Sequence, residues 1–306
     1  MAVSAKVPAS AKTTVASLKQ ARRRTGWTRR SLATAFLLVF LVYFLLPFFW
    51  IVVSATKTNP ELFSSFGLWF ASDFNLFSNL NDVFTHDGGV FLSWLWNTIY
   101  YAVVSSVGAA LIATMAGYVF AKLAFPGRTL VFAIILGSIM VPATALAIPT
   151  FLLLSKIGLI NTPLAVILPS LVSPFGVYLM RIYAEQAVPD ELLDAARVDG
   201  AGELRIFWSV ALRILVPGLI TVLLLTFVAT WNNYFLPLLV LSDPNYYPLT
   251  LGLAAWNQQA YASGGAQLLY TIVVTGALVS ITPLIVGFLF LQRYWQSGLT
   301  FGSVKS

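Results

Sequence analysis

The chain has 306 residues, of which 58% are hydrophobic and only 9% charged. Soluble domains carry about 25% charged residues, so this composition is that of a membrane protein. Cysteine is absent and histidine occurs once, as His86, which excludes a disulfide framework, a thiolate metal site, a Cys nucleophile and the H-E-x-x-H spacing of zinc proteases.

The first 31 residues form a basic tail in which Lys19, Arg22, Arg23, Arg24, Arg29 and Arg30 crowd before the first apolar run. A net charge of +7 could suggest nucleic acid. At the foot of an apolar segment, however, such a tail is explained as a topology determinant that also touches anionic lipid, and no nucleic-acid partner is expected. A helix needs about 20 mostly apolar residues to cross a bilayer. Six stretches meet or approach this: 32–55, 95–120, 130–153, 164–180, 215–241 and 268–292. The first is too long for the core of a signal peptide and is read as an uncleaved anchor. The fourth is short and can extend past Arg181, whose long stem reaches the interface. With the N-terminus placed inside, 16 of the 18 Lys and Arg residues lie on the cytoplasmic side, leaving Lys57 and Lys156 outside. Both termini are therefore expected in the cytoplasm. The expected organisation is a cytoplasmic N-tail over 1–31, a transmembrane domain over 32–292 with its main cytoplasmic loop at 185–213, and a cytoplasmic C-tail over 293–306.

None of the six stretches contains Asp, Glu, Lys, Arg or His. Ion-coupled carriers keep ionisable groups at that depth, and an intramembrane enzyme would need a nucleophile with its base, or metal ligands. The stretches hold prolines instead: Pro142 and Pro149 in the third, Pro169 and Pro174 in the fourth, Pro217 and Pro237 in the fifth, Pro283 in the sixth. Proline removes a backbone hydrogen bond, which membranes tolerate where a neighbour or a water-filled cavity satisfies the freed carbonyl. Prolines are also simply commoner in membrane helices than in soluble ones. No G-x-x-x-x-G-K-[ST] occurs, so uphill transport would draw its energy from a separate ATPase docked on the cytoplasmic side.

The densest charge lies in "ELLDAARVDGAGELRIF", residues 191–207. Pro189, Asp190 and Glu191 make a good helix start, Leu192, Leu193, Ala195, Ala196 and Val198 supply apolar contacts, and Gly200 is a natural stop. A second amphipathic run follows through Leu204, Ile206, Phe207, Val210 and Ile214. Ala195 and Ala196 permit close approach, and Asp194 offers a charge to a basic partner. Spacing alone favours an ordinary amphipathic linker over a docking element. In the fifth stretch Trp231, Asn232, Asn233 and Tyr234 combine amides, which can bond hydroxyls, with aromatic faces. The same amides could bond between helices. An outer loop over 246–267, with Trp256, Asn257, Gln258, Gln259 and Tyr261, is polar as any exposed loop is.

The segment "DAARVDG" resembles the EAA loop of the membrane subunits of bacterial ABC importers: Asp194, Ala195, Ala196 and Gly200 match its acid, its two alanines and its glycine four positions on. Asp replaces the usual Glu, and Arg213 stands where a Pro is usual, while Pro217 matches a second proline of the pattern. "NTIYYAVVSS" through "AKLAFPGR", "MVPATALAIP", "IGLINTPLAVIL", "TWNNYFLPLLVL" and "QRYWQSGLTFGSVKS" are similar, in the same order, to the maltose-type carbohydrate branch.

The resemblance implies an all-α integral membrane permease subunit in a bacterial cell membrane, with six transmembrane helices, both termini inside, and a coupling helix between the fourth and fifth spans. It implies a second, homologous permease subunit, two cytoplasmic ATPases that use ATP and Mg, and an extracytoplasmic solute-binding protein that delivers sugar. The chain itself would bind no cofactor and catalyse nothing. Asp194 would supply a charge contact to the ATPase, Ala195 and Ala196 close packing and Gly200 the turn. Trp231, Asn232, Asn233 and Tyr234 remain candidates for the sugar path, and the outer loop for facing the binding protein. The alternatives are the same architecture carrying a glycerol phosphate ester, an ion-coupled carrier, or a membrane protein with no transport role.

Overall fold

The computed structural model describes residues 9–262 and 269–299, with side chains placed from residue 32 to residue 290 except at 263–268. The basic side chains of the N-tail, the end of the outer loop and the C-tail sequence from residue 300 lie outside the described residues. The described residues are helical with connecting turns and contain no strand. Five segments are long and apolar enough to cross a membrane: Leu32–Ala55, Leu76–Lys122, Pro163–Ala187, Glu203–Trp231 and Leu269–Phe290.

The expected third span departs from a single helix. It consists of α5 (Arg128–Ile139) and α6 (Ala147–Lys156), separated by a turn. Pro142 has no N–H with which to continue α5, and its carbonyl instead accepts from Ala145 N at 3.0 Å. At 1.5 Å per residue, α5 extends about 18 Å, well short of a hydrocarbon core of about 30 Å. The fourth and fifth spans are broken too. Helix α7 (Pro163–Ser170) gives way at residues 171–173 to α8 (Pro174–Ala187). Helix α11 (Leu212–Trp231) stops before α12 (Phe235–Val240). Pro217 and Pro283 interrupt nothing, for α11 and α14 (Leu269–Leu299) run through them.

Helix α4 (Val90–Lys122) is the axis on which α8 and α11 pack. Its buried face is a run of small residues, Ala102, Ser105, Ser106, Ala109, Ala110, Ala113, Thr114 and Gly117, the pattern that lets membrane helices approach closely. A Cβ on Gly117 would lie 2.7 Å from Arg181 N, and one on Gly218 of α11 would meet the Tyr183 ring. Where lipid rather than water surrounds the bundle, such contact supplies the association energy that hydrophobic burial gives soluble folds.

At its N-terminal end, α4 grips the chain that follows α12. Trp94 Nε1 donates to Pro244 O at 2.8 Å, Asn97 Nδ2 to Asn245 O at 2.7 Å, and Tyr101 Oη to Tyr246 O at 2.9 Å, while Thr98 Oγ1 accepts from Leu249 N at 2.7 Å. The four side chains share one face of α4 at helical spacing and satisfy backbone groups that would otherwise be orphaned on burial. They seat α13 (Leu249–Ala262), whose Trp256 Nε1 donates to Asp87 Oδ2 at 3.0 Å. From residue 32 on, helix α1 (Ala9–Ala55) is buried only at its end, at Val53, Ser54 and Ala55, and consecutive residues Leu37, Leu38, Val39 and Phe40 are exposed all round it.

Candidate functional site

Charge gathers at the end of the bundle where α4 finishes. Lys122 Nζ lies 2.8 Å from Asp190 Oδ1, which fastens α9 (Asp190–Val198) to α4. Leu193, 1% exposed, anchors α9 in a core with Tyr118, Val188, Ile206 and Phe207. The loop is cross-braced by Arg197, whose Nη1 reaches Asp194 Oδ1 at 2.7 Å and whose Nε reaches Glu203 Oε1 at 2.8 Å. Its hydrogen bond to Glu203, then that to Asp194, raises the Arg197 pKa above its ordinary value and keeps it charged. Gly200 takes φ +78°, a left-handed conformation easy only for glycine. There Ala201 N donates to Ala196 O and Gly200 N to Arg197 O, both at 3.0 Å, satisfying the last carbonyls of α9.

Asp194, Ala195, Ala196 and Gly200 thus fall together on one short helix and its stop. The Asp194 carboxylate is engaged by Arg197 within the loop. Among the exposed charges of the loop, Glu191, Asp199 and Arg205, stand large apolar residues: Val198 is 88% and Leu204 67% exposed, and Leu192 and Trp208 are exposed as well. Sequence reasoning missed the roles of Arg197, Glu203 and Lys122; the i, i+3 spacing of Asp194 and Arg197 was the available signal.

A second feature opens on the surface of the described chain, where Val141, Leu146, Val172 and Phe175 are exposed. The three helix breaks, α5 to α6, α7 to α8 and α11 to α12, face one cleft of about 650 Å³. Its polar lining is neutral: Ser138, Thr150, Ser170, Ser173, Thr226, Thr230 and Asn233, with Phe175 and Phe235 as its aromatic residues and no ionisable side chain. Ser138, Ser170 and Thr226 each donate to a carbonyl of the preceding turn, which leaves hydroxyl lone pairs as acceptors. Ser173 Oγ accepts from Gly176 N at 3.2 Å and caps α8.

The four residues 231–234 separate. Trp231 is 5% exposed, packed in the core with Phe227. Asn232 Nδ2 donates to Val228 O at 2.9 Å and finishes α11. Tyr234 is part-exposed and lies outside the cleft lining. Asn233 alone of the four lines the cleft, its Oδ1 accepting from Leu236 N at 3.2 Å. The serines and threonines were missed because each is unremarkable in an apolar run. Pro142, Pro169 and Pro174 marked two of the three breaks that assemble them.

Residues 109–299 match the family described as the binding-protein-dependent transport system inner membrane component. The chain belongs to this family. It is 37% identical over 223 residues to the arabinooligosaccharides transport system permease protein AraQ of Halalkalibacterium halodurans, covering 73% of this chain and 77% of that protein. It is 32% identical over 262 residues to the lactose transport system permease protein LacG of Rhizobium radiobacter, covering 85% and 90%. The fold is that of a chain in the crystal structure of a bacterial ABC transporter involved in the import of the acidic polysaccharide alginate, with TM-score 0.77, 24% identity and coverage of 89% of this chain and 98% of that one.

Proposed function

We propose that this chain is one of two membrane subunits of an ATP-driven importer and forms half of the path for a neutral sugar or oligosaccharide. The observation that carries the reading is the cleft at the three helix breaks, which offers hydroxyls, an amide and aromatic residues but no charge. Broken helices at mid-membrane are where transporters build substrate sites, because irregular backbone is tolerated there only if it lines a cavity. Hydroxyl groups of a sugar match these neutral partners, and relatives named for arabinooligosaccharides and lactose agree with that chemistry. Asn233 is the one path candidate of the 231–234 group that this reading retains; Thr230, Thr226, Ser173 and Phe175 join it. A glycerol phosphate ester would call for cations along the path, and an ion-coupled carrier for a titratable group; the cleft lining has neither.

In this reading α5 and α6 together complete a sixth crossing, both termini are cytoplasmic, and α9 is the coupling helix. Asp194 then acts mainly through Arg197, holding the helix in shape. Ala195 and Ala196 admit close packing, and Gly200 sets the turn. The exposed Val198 and Leu204 enter a groove on a separate ATPase, which uses ATP and Mg. ATP favours one global state of the assembly and the helix transmits that preference, as any ligand shifts an equilibrium by its differential affinity. A second permease subunit and an extracytoplasmic binding protein complete the system.

The test is uptake into proteoliposomes by the assembled transporter, with ATP inside and a panel of neutral oligosaccharides, an acidic saccharide and glycerol 3-phosphate. ATP-dependent uptake of a neutral sugar, reduced by changing Asn233 or Thr230, is the expected result. Uptake that follows an ion gradient without ATP, or accepts only the anionic solutes, overturns the reading.

A further inference from the structure

Among the described residues, Arg181 is the one half-buried Lys or Arg whose side chain makes no hydrogen bond or ion pair. The other buried or half-buried cations are served: Lys57 Nζ donates to Phe66 O, Lys122 pairs with Asp190, and Arg128 donates to Leu123 O and Ala121 O. Arg181 instead lies flat over Phe132 of α5, with Cζ 3.9 Å from the ring centroid, and its Nε is fully covered without an acceptor. A guanidinium stays charged in a protein and presents five N–H donors in a planar fork. Enclosing it without a counter-ion is costly.

Among the described residues no carboxylate pairs with it. Asp190 is taken by Lys122, and Glu185, one turn beyond Arg181, is exposed and forms no ion pair with it. Arg128 lies one turn before Phe132 on the same face of α5 and bonds only to neutral carbonyls. Arg181 therefore lies over the Phe132 ring without a counter-charge, while Arg128, one turn along α5, turns its guanidinium to carbonyls at the end of α4. The surface beside this place is apolar: Val131, next to Phe132 on α5, is 43% exposed, and Tyr178, one turn before Arg181 on α8, 36%. An anion that settles here needs a negative head for Arg181 and an apolar tail for α5. We propose that this is a binding site for an anionic phospholipid, its phosphate held by the Arg181 fork beside Arg128 and its acyl chains lying along α5. Basic pockets between membrane helices at the headgroup level bind such lipids, and a guanidinium matches phosphate geometry with paired hydrogen bonds. The site joins α5, which leads to the cleft, to α8, which leads into the charged loop.

The test uses the assembled transporter in mild detergent, with native mass spectrometry counting dioleoyl phosphatidylglycerol as it is titrated in. The wild type is expected to hold one phosphatidylglycerol that R181Q binds about tenfold more weakly. R181K, which keeps the charge and loses the fork, and F132L, which keeps bulk and loses the ring, are expected to fall between. K156Q, at the other end of the bundle, should leave binding unchanged, as should millimolar inorganic phosphate. Equal affinity in wild type and R181Q overturns the proposal. So does release of a companion subunit by R181Q with lipid binding intact, which assigns Arg181 to a protein carboxylate, or displacement of the lipid by inorganic phosphate, which assigns the site to a soluble anion. If R181Q fails to assemble, F132L decides on the same criterion.

Discussion

The Lys122 ammonium and the Asp190 carboxylate, 68 residues apart in sequence and 2.8 Å apart in space, tie the last turn of the central helix to the first turn of α9. Lys122 is 6% exposed and Asp190 73%, so the pair is half screened and its direct worth is about 1 kcal/mol. In the coupling role proposed for α9, the tie would also be geometric, since movement of α9 would pull on the helix that carries α8 and α11. Asp190→Asn should leave the assembly intact, lower its melting temperature slightly, and lower sugar uptake more than ATP hydrolysis. An equal loss of both would mean that the tie supports folding alone.

Arg197 braces α9 against α10 (Glu203–Ile206) through Asp194 and Glu203. Arg197→Gln should loosen the loop, raise ATP hydrolysis uncoupled from uptake several-fold, and speed amide exchange across residues 195–201. Arg197→Lys should rescue only in part, since an ammonium lacks the fork that spans two carboxylates. Amide exchange unchanged from wild type would remove the bracing role.

A Cβ added at Gly200 would meet nothing within 4 Å, so the constraint on this residue is φ alone, at +78°. Gly200→Ala is expected to cost about 1 kcal/mol, and Gly200→Asn less, because Asn accepts the left-handed region. Thermal unfolding of the two variants would show the order. Equal costs would point to a contact with another subunit in place of backbone strain.

Gly117 is the opposite case. Its side-chain space is filled by Met180 and by the backbone of Arg181, so Gly117→Ala must push α4 from α8 and should destabilise by about 1–3 kcal/mol. A combined Gly117→Ala, Met180→Ala variant should not recover it, since the Met180 Cβ, which alanine keeps, and the backbone of Met180 and Arg181 remain in the way. Full recovery in a thermal melt would show that only the Met180 side chain beyond its Cβ resists.

Outside the membrane, Thr58 and Glu61 form a reciprocal helix cap at the start of α2 (Asn59–Ser64). The Thr58 backbone N–H, then its hydroxyl, lowers the Glu61 pKa below its ordinary 4.5. A lowered carboxylate pKa means that the cap is present at neutral pH and lost as the pH falls through that lowered value. Glu61→Gln should therefore flatten the acid limb of local amide exchange over residues 59–64. An acid limb identical to that of wild type would exclude Glu61 as its source.

Sequence patterning made the membrane class, the apolar segments and the α9 start and stop legible, because each depends on residues close in the chain. Length and hydropathy set where a helix can cross, Pro189 and the acids after it set where α9 begins, and Gly200 sets where it ends. The prolines were legible as residues but not as breaks. Pro142 ends a helix, whereas Pro217 and Pro283 sit inside continuous ones. Whether a freed carbonyl finds a new partner depends on neighbours that only packing supplies. The cleft has the same origin: Ser173, Thr230 and Asn233 come from separate parts of the chain, and no local period links them. The counter-charge of Lys122 and the lack of one for Arg181 likewise belong to the tertiary structure. Charge pairing is decided by distance in space, and chain order carries almost none of it for residues a bundle's length apart.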